Sequence, residues 1–480
     1  MKKIANYING KLIEPKSNSY INNYNPATGQ VYSLIPDSND EDVEIAIESA
    51  KNAFPLWSKL KNSERSRWLE KISNGINDRQ DELALAESID NGKPLKLAKK
   101  VDIPRACENF KFYATAIQHF ASESHHNTDS MINFTLRKPV GVAACISPWN
   151  LPLYLFSWKI APALAAGNTV VAKPSEITPM TAYLLSEICH NIDLPAGVLN
   201  IVHGLGSNTG NSIISSDDID LVSFTGGSST GAHIAKILAP KFKKMSLELG
   251  GKNPNIIFDD CDFDEAIRTS LNSSFANQGQ ICLCGSRILI QRGIYEKFKN
   301  EFVAQTNKII VGDPMNDKSR LGAIVSKLHY EKILNYIELA KKEGGSILSG
   351  GAPVKLAGNL SEGWYIRPTI IEGLDQQCRT NQEEIFGPVV TIQPFDTEEE
   401  AIELANSNNF GLAATIWTSD LSKAHRCSEN IKSGIIWVNC WLQRDLRTPF
   451  GGMKNSGVGR EGGWEALRFF TEPKNVCIKY

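Results

Sequence analysis

From residue 139 onward, the chain alternates short apolar runs with stretches of helical period. PVGVAACI (139–146), TVVAK (169–173), VLNIV (198–202), DLVSF (220–224) and PNIIF (254–258) are continuous runs of strand length. Helical segments lie between them, including 178–191 and 229–238. Buried strands alternating with helices predict βαβ units, a parallel sheet and helices on both of its faces. The alternation repeats after 260: RILI, a helix around 293–309, a helix over 326–343, TII, VVTI, a helix over 397–406, AATIW and GIIWV. The pattern therefore predicts an α/β protein with two open parallel sheets joined near 250. Ligands belong in the cleft at the carboxyl ends of the strands.

The remainder reads differently. Residues 1–35 pattern as short strands and turns, with Asn9-Gly10 as a hairpin signal. SNDEDVEIAIESAKNAFPLWSKL opens on capping residues, and Val43, Ile47, Ala50 and Phe54 recur at helical spacing. Amphipathic helices are expected to continue over 64–125, with a break at Asn91-Gly92. Residues 119–139 have strand-and-turn character. The stretch 464–480 ends in NVCIKY, a strand-like segment that is a bare edge unless paired. Pairing of both with another subunit is one use of them, and a homo-oligomer is expected.

Composition narrows the class. At roughly 150 residues per unit, 480 residues predict three structural units. The 51 Lys+Arg and 53 Asp+Glu give a net charge of −2, which offers no electrostatic reason for nucleic-acid or membrane-surface binding. Ten cysteines without a CxxC pair or a Cys/His cluster argue against a metal site. With no secretory pattern and no apolar stretch of about 18 residues, a reducing cytoplasm with free thiols is the expectation.

Two glycine-rich turns follow predicted strands. GLGSNTG (204–210) is one residue too long for the dinucleotide fingerprint; FTGGSSTG (224–231) leads from strand to helix and can present backbone N–H groups to a pyrophosphate. Each alone reads equally well as a tight turn. KPSE (173–176) ends the strand TVVAK, where a ribose would lie: Lys173 can donate to its hydroxyls, and Glu176 can accept from both while repelling a 2′-phosphate. The plainer reading puts Glu176 in the first turn of a helix. In the loop NQGQICLCGSR (277–287), Cys282 is a candidate nucleophile, although most cysteines are small buried hydrophobes. Glu248, before the Gly-Gly turn of LELGGKNPN, is a candidate general base or an ion-paired carboxylate. Asn150 in ISPWNLP offers an amide on a stiff support, either as an oxyanion donor or as a turn residue.

PWN, KPSE, FTGG, LELGGK, GQICLCGSR, EEIFGPV and PFGGMKNSGVGRE, in this order over nearly the whole chain, resemble the aldehyde dehydrogenase superfamily. The resemblance implies that Cys282 is the nucleophile rather than Cys284, Glu248 the base and Asn150 the oxyanion donor. It implies NAD as cofactor, with Ile146, Ser147, Trp149, Lys173, Ser175, Glu176, Gly226, Gly227, Glu384 and Phe386 around it. A thiohemiacetal would be oxidised to a thioester, which water then cleaves. The division implied is an NAD-binding domain (1–118 and 140–249), a catalytic domain (250–447) and an oligomerisation arm (119–139 and 462–480), in dimers or tetramers.

VDIPRACENFKFYA (101–114), CWLQRDLRTPFGG (440–452) and the stretch EGGWEALRFFTEPKNVCI resemble more narrowly the 2-hydroxymuconic and 2-aminomuconic semialdehyde dehydrogenases. That resemblance implies an aldehyde carrying a distal carboxylate, held by Arg105 and Arg444, with Trp158 in the substrate site and Arg447 as a further candidate. A guanidinium can grip a carboxylate bidentately. Arg105 could instead pair with Asp102 on its own helix, and Arg444 and Arg447 flank Asp445. A CoA-acylating enzyme, a betaine-aldehyde-type or broad-specificity enzyme and a catalytically inactive protein of this fold are the competing readings. Glu248 argues against the first, and Cys282, Glu248, Asn150 and Lys173 together argue against the last.

Overall fold

The computed structural model describes residues 1–128 and 130–480. Its first sheet has eight strands in the order Gly457–Val458, Lys244–Glu248, Leu221–Thr225, Val142–Ile146, Thr169–Lys173, Leu199–Ile201, Asn6–Ile8, Lys11–Ile13. The five central strands are parallel, as their near-continuous apolar sequences predict. The outer ones are antiparallel. Asn9 and Gly10, with φ 52° and 75°, make the tight turn between the last two strands. Strand order reverses beside Val142–Ile146: the next strand in the chain lies on one side, and Leu221–Thr225 on the other. Chain crossovers leave on opposite faces there and open a crevice at the carboxyl ends.

The second sheet runs Ser346–Ser349, Thr369–Glu372, Val389–Phe395, Gly285–Gln291, Asn253–Ile257, Ala413–Trp417, Ile435–Val438, parallel except for its first strand. Every apolar run expected after 260 falls within one of these strands. Lys244–Glu248 and Asn253–Ile257 belong to different sheets, so Leu249, Gly250, Gly251 and Lys252 bridge the two.

Helix Gln80–Asn91 stops at Gly92, which takes φ 81°. A Cβ on Gly92 would meet the Ala323 carbonyl oxygen at 2.7 Å, so the break at Asn91-Gly92 is also a close approach to the second half of the chain. Helix Pro152–Ala165 is buried along its whole length, which its almost unbroken apolar sequence predicts.

One expectation needs correction. Helices do not continue to 125: Ile103–Ala116 ends in the short turn Ile117–His119, and Ser124–Thr128 is a strand. NVCIKY is paired on one side, because Thr471–Lys479 runs antiparallel to Met131–Pro139 of the same chain over nine residues, and it is an edge strand of that three-stranded sheet. The helix Gly463–Phe469 buries Ala466 and Leu467 in the first core. Residues 448–461, outside the expected division, return to the first sheet through Gly457–Val458. Among the described residues, no helix is long and apolar enough to cross a membrane.

Candidate active site

Two cavities meet at Thr225, on the crevice side of the first sheet. The first, of about 820 Å³, is lined by Ile146, Ser147, Trp149, Lys173, Ser175, Glu176, Gly226 and Gly227. The ends of three adjacent parallel strands thus supply it. The Ser147 N–H donates to the Lys173 carbonyl (3.1 Å), which locks two of those ends together. Lys173 Nζ is buried and donates to Glu176 Oε2 (3.2 Å) and the Pro174 carbonyl (3.0 Å). Gly227 caps helix Ser228–Leu238, and nothing lies within 4 Å of the place a Cβ would take on Gly227 or on Gly206. The open helix N-terminus and bare backbone fit a pyrophosphate, and the Lys173–Glu176 pair fits ribose hydroxyls. These residues therefore fit a nicotinamide dinucleotide.

Glu384 and Phe386 stand apart from that wall. Glu384 Oε1 accepts the Gly251 N–H (2.9 Å), and a Cβ on Gly250 would lie 2.2 Å from Glu384 Oε2. The Gly-Gly turn of LELGGK is thus what admits the Glu384 carboxylate. Phe386 takes φ 62° and sits edge-on to Trp149, with ring centroids 5.2 Å apart. Its carbonyl accepts from His329 Nε2 (2.7 Å), and burial lowers the His329 imidazole to about 4, keeping it neutral. His329 is a site residue that the sequence reading did not single out.

The second cavity, of about 640 Å³, brings together Cys282, Glu248, Arg105 and Arg444, four residues far apart in sequence. Cys282 follows an unusual turn: Asn277, Gln278 and Gly279 have φ of 52°, 58° and 71° in succession. Left-handed backbone costs a non-glycine residue about 1 kcal/mol, and packing enforces it here. Gln278 Nε2 donates to the Ala323 carbonyl (2.9 Å), while Gln280 Oε1 accepts the Val325 N–H (3.2 Å). Asn253 Nδ2 donates to the carbonyls of Cys282 (2.7 Å) and Cys284 (2.9 Å). Cys284 is buried and does not line the cavity.

Burial, then the Glu384 and Glu248 carboxylates, push the Cys282 thiol up, with Arg444 opposing them. A raised pKa favours the thiol over the thiolate at rest. Glu248 is buried, and neither of its carboxylate oxygens has a hydrogen-bond partner among the described residues. Burial, then Glu461, raise its carboxyl well above the usual range; Lys159, Arg460 and Arg444 pull it down. An unpartnered buried carboxylate with a raised pKa beside a thiol suits proton transfer. Lys159 Nζ donates to Glu461 Oε1 (2.6 Å) and Ser223 Oγ (3.1 Å). The sequence carried a signal for Lys159 that went unread: it is the one charge in PLYLFSWKIAPALA.

Asn150 Nδ2 donates to the Gln280 carbonyl (3.0 Å), two residues before Cys282. An amide has two N–H groups, which leaves one beyond this bond, although Asn150 is buried and lines neither cavity. Arg105, in the first turn of helix Ile103–Ala116, lies 3.5 Å from Glu108 and over the Tyr154 ring; its alternative partner, Asp102, is bound to Lys93 instead. The Arg444 guanidinium stacks on Phe450 (4.0 Å to the ring centroid) and Trp158 (5.5 Å), and none of the ion pairs among the described residues includes it. Two expectations shift. Trp158 does not line the cavity but backs Arg444 from behind. Arg447 is exposed, forms a bidentate pair with Asp445 and lies outside the cavity. Among the described residues, no group of His, Cys, Asp and Glu could hold a metal ion.

A cysteine and a buried carboxylate in a cavity that adjoins a groove fitted to a dinucleotide suit an oxidoreductase of the aldehyde-oxidising class. Residues 12–476 match the aldehyde dehydrogenase family, and the chain belongs to that family. It is 47% identical to the 2-aminomuconic semialdehyde dehydrogenase of Mus musculus, over 99% of this chain and 98% of the mouse protein. It is 43% identical to the 2-hydroxymuconic semialdehyde dehydrogenase of Pseudomonas sp. (strain CF600), over 100% of both. The NAD+ complex of an aldehyde dehydrogenase from Bacillus cereus superposes with a TM-score of 0.97 at 37% identity, covering 100% of this chain and 97% of that one.

Proposed function

We propose that this aldehyde dehydrogenase oxidises a semialdehyde whose far end carries a carboxylate, of the 2-aminomuconic or 2-hydroxymuconic 6-semialdehyde type, using NAD. The observation carrying this reading is that Arg105 and Arg444 line the same cavity as Cys282 and Glu248. Two permanently charged guanidinium groups favour an anion and disfavour cationic aldehydes. The names of the mouse and Pseudomonas relatives point the same way.

Glu248 takes the Cys282 thiol proton, and the sulfur adds to the aldehyde carbon. The resulting alkoxide is held by the free Asn150 N–H and the Cys282 backbone N–H; one such donor contributes about 3–4 kcal/mol to a transition state. Bound NAD supplies the two-electron acceptor that converts the adduct to a thioester. Glu248 passes that proton to solvent and then removes one from water; the hydroxide adds to the thioester carbon, and the Cys282 sulfur leaves and takes the proton back from Glu248 as the acid is released. Lys173 and Glu176 hold the adenosine ribose, Gly226 and Gly227 admit the pyrophosphate, and Glu384 and Phe386 seat the nicotinamide end. The Glu176 carboxylate favours NAD over NADP.

The division proposed is cofactor binding by the first sheet and catalysis by the second. The exposed three-stranded arm, with Leu136 and Ile478 on its surface, serves a homodimer or homotetramer. Ten free cysteines suit a cytoplasmic setting. The test is absorbance of the reduced cofactor with an acidic semialdehyde, propanal and a cationic aldehyde, each with and without CoA. Preference for the acidic substrate without CoA is expected; preference for the cationic aldehyde, or a CoA requirement, overturns the reading.

A further inference from the structure

Lys93 lies directly after the left-handed Gly92 and is fully buried, yet it touches neither cavity. Its ammonium group meets three oxygens: Asp102 Oδ1 at 2.7 Å, Glu87 Oε1 at 3.5 Å and the backbone carbonyl of Asn150 at 3.2 Å. Two of its three donors go to Asp102 Oδ1 and the Asn150 carbonyl, while Glu87 Oε1 is an ion-pair contact that accepts no hydrogen bond among the described residues. The Asn150 carbonyl also receives Asn277 Nδ2 (3.0 Å) and Asn91 Nδ2 (3.4 Å). Three donors therefore converge on one peptide oxygen, the one belonging to the residue whose side-chain amide reaches Gln280 in the cysteine loop. Asn277 comes from that same loop, and Asn91 and Lys93 flank the helix-ending glycine. Glu87 Oε2 accepts the Leu153 N–H (3.4 Å), just inside helix Pro152–Ala165. The segment carrying Asn150 is thus held on both sides by one buried charge cluster.

We propose that Lys93, anchored by Asp102 and Glu87, is a positioning residue that sets the Asn150 amide against the carbon attacked by Cys282. The inference rests on the oxyanion role proposed for Asn150. A buried charge cluster is weak evidence for stability, since apolar replacements often serve folding as well. Its placement on the Asn150 peptide gives it a function instead. Burial raises the carboxyls of both Glu87 and Asp102, and the Lys93 ammonium opposes that rise in each. Misplacing a catalytic group by about 1 Å costs on the order of 100-fold in rate.

The experiment compares Lys93→Met, Asn150→Ala and the double variant in the full chain, with propanal as substrate and NAD binding followed by fluorescence. For Lys93→Met, kcat is expected to fall by about 10- to 100-fold, with NAD affinity unchanged. The double variant is expected to be no slower than Asn150→Ala alone, because Lys93 acts through that amide. Losses that multiply in the double variant overturn the proposal, as does native turnover in Lys93→Met. Full turnover in Asn150→Ala removes the oxyanion reading itself, and the proposal with it; a slow Asn150→Ala beside a fast Lys93→Met overturns the proposal alone. If Lys93→Met does not fold, Asp102→Asn, which keeps the shape, is taken through the same cycle and judged by the same outcomes.

Discussion

Lys159 and Glu461 meet at 2.6 Å across 302 residues of sequence, and both bear on the charge of Glu248. Glu461 raises the Glu248 carboxyl and Lys159 lowers it. Glu248 works as a base only when ionised, so thioester hydrolysis rises with pH through its pKa and is lost below it. Glu461→Gln should move the ascending limb of the kcat–pH profile to lower pH, and Lys159→Met should move it to higher pH. A profile unmoved in both variants would mean that Glu248 is not the titrating group.

Cys282→Ala should abolish turnover with every aldehyde, while Glu248→Gln should give a slowed burst of reduced cofactor, because Glu248 also takes the thiol proton, followed by still slower hydrolysis. Stopped-flow absorbance separates the two. Because the resting group is a thiol held up by burial, alkylation of Cys282 by iodoacetamide in cofactor-free protein should be slow at pH 7 and climb with pH through 9. Peptide mass spectrometry reads it site by site.

The two arginines should separate kinetically. A hydrogen bond to a charged group contributes about 1.5–3 kcal/mol, roughly 10- to 100-fold. Arg105→Ala should raise KM for an acidic semialdehyde by that order and leave propanal unchanged. Arg444→Ala should do the same and also lower kcat, since its charge opposes the upward shifts of Cys282 and Glu248. Equal effects on acidic and neutral aldehydes would argue against a carboxylate clamp.

Glu176→Ala should raise KM for NAD and lower KM for NADP, because the carboxylate that can accept from ribose hydroxyls also repels a 2′-phosphate. Initial rates with the two cofactors decide it, and a variant with an unchanged cofactor ratio would place Glu176 outside the ribose contact.

Gly279→Ala should lower both the thermal unfolding midpoint and activity. Its φ of 71° disfavours an L side chain, and the added Cβ would lie 2.1 Å from the Gly387 carbonyl oxygen. Calorimetry and steady-state assays on the same preparation test whether this turn is as constrained as its geometry states.

Where chemistry is contiguous, the sequence was a good guide. TVVAK, LVSF and RILI each read as a strand and each lies in one, with the candidate residues of KPSE and TGG lining one cavity and Cys282 the other. Residues defined only by tertiary contact were invisible. Neither Lys93 nor Glu461 was singled out from the sequence. Trp158 lies one helical turn from Tyr154, which lines the cavity, but it packs on Tyr113 and Arg444 instead. The environment of Cys282 was illegible for the same reason: burial raises its thiol first, and the carboxylates that add to the shift come from residues 384 and 248.

Glu461 and the strand Gly457–Val458 complete surroundings whose other parts are made hundreds of residues earlier. On the ribosome, then, the nucleophile at 282 emerges long before the segment that pairs beside its base. A nascent chain should therefore lack turnover until that late strand docks, so activity appears only when the fold is nearly finished.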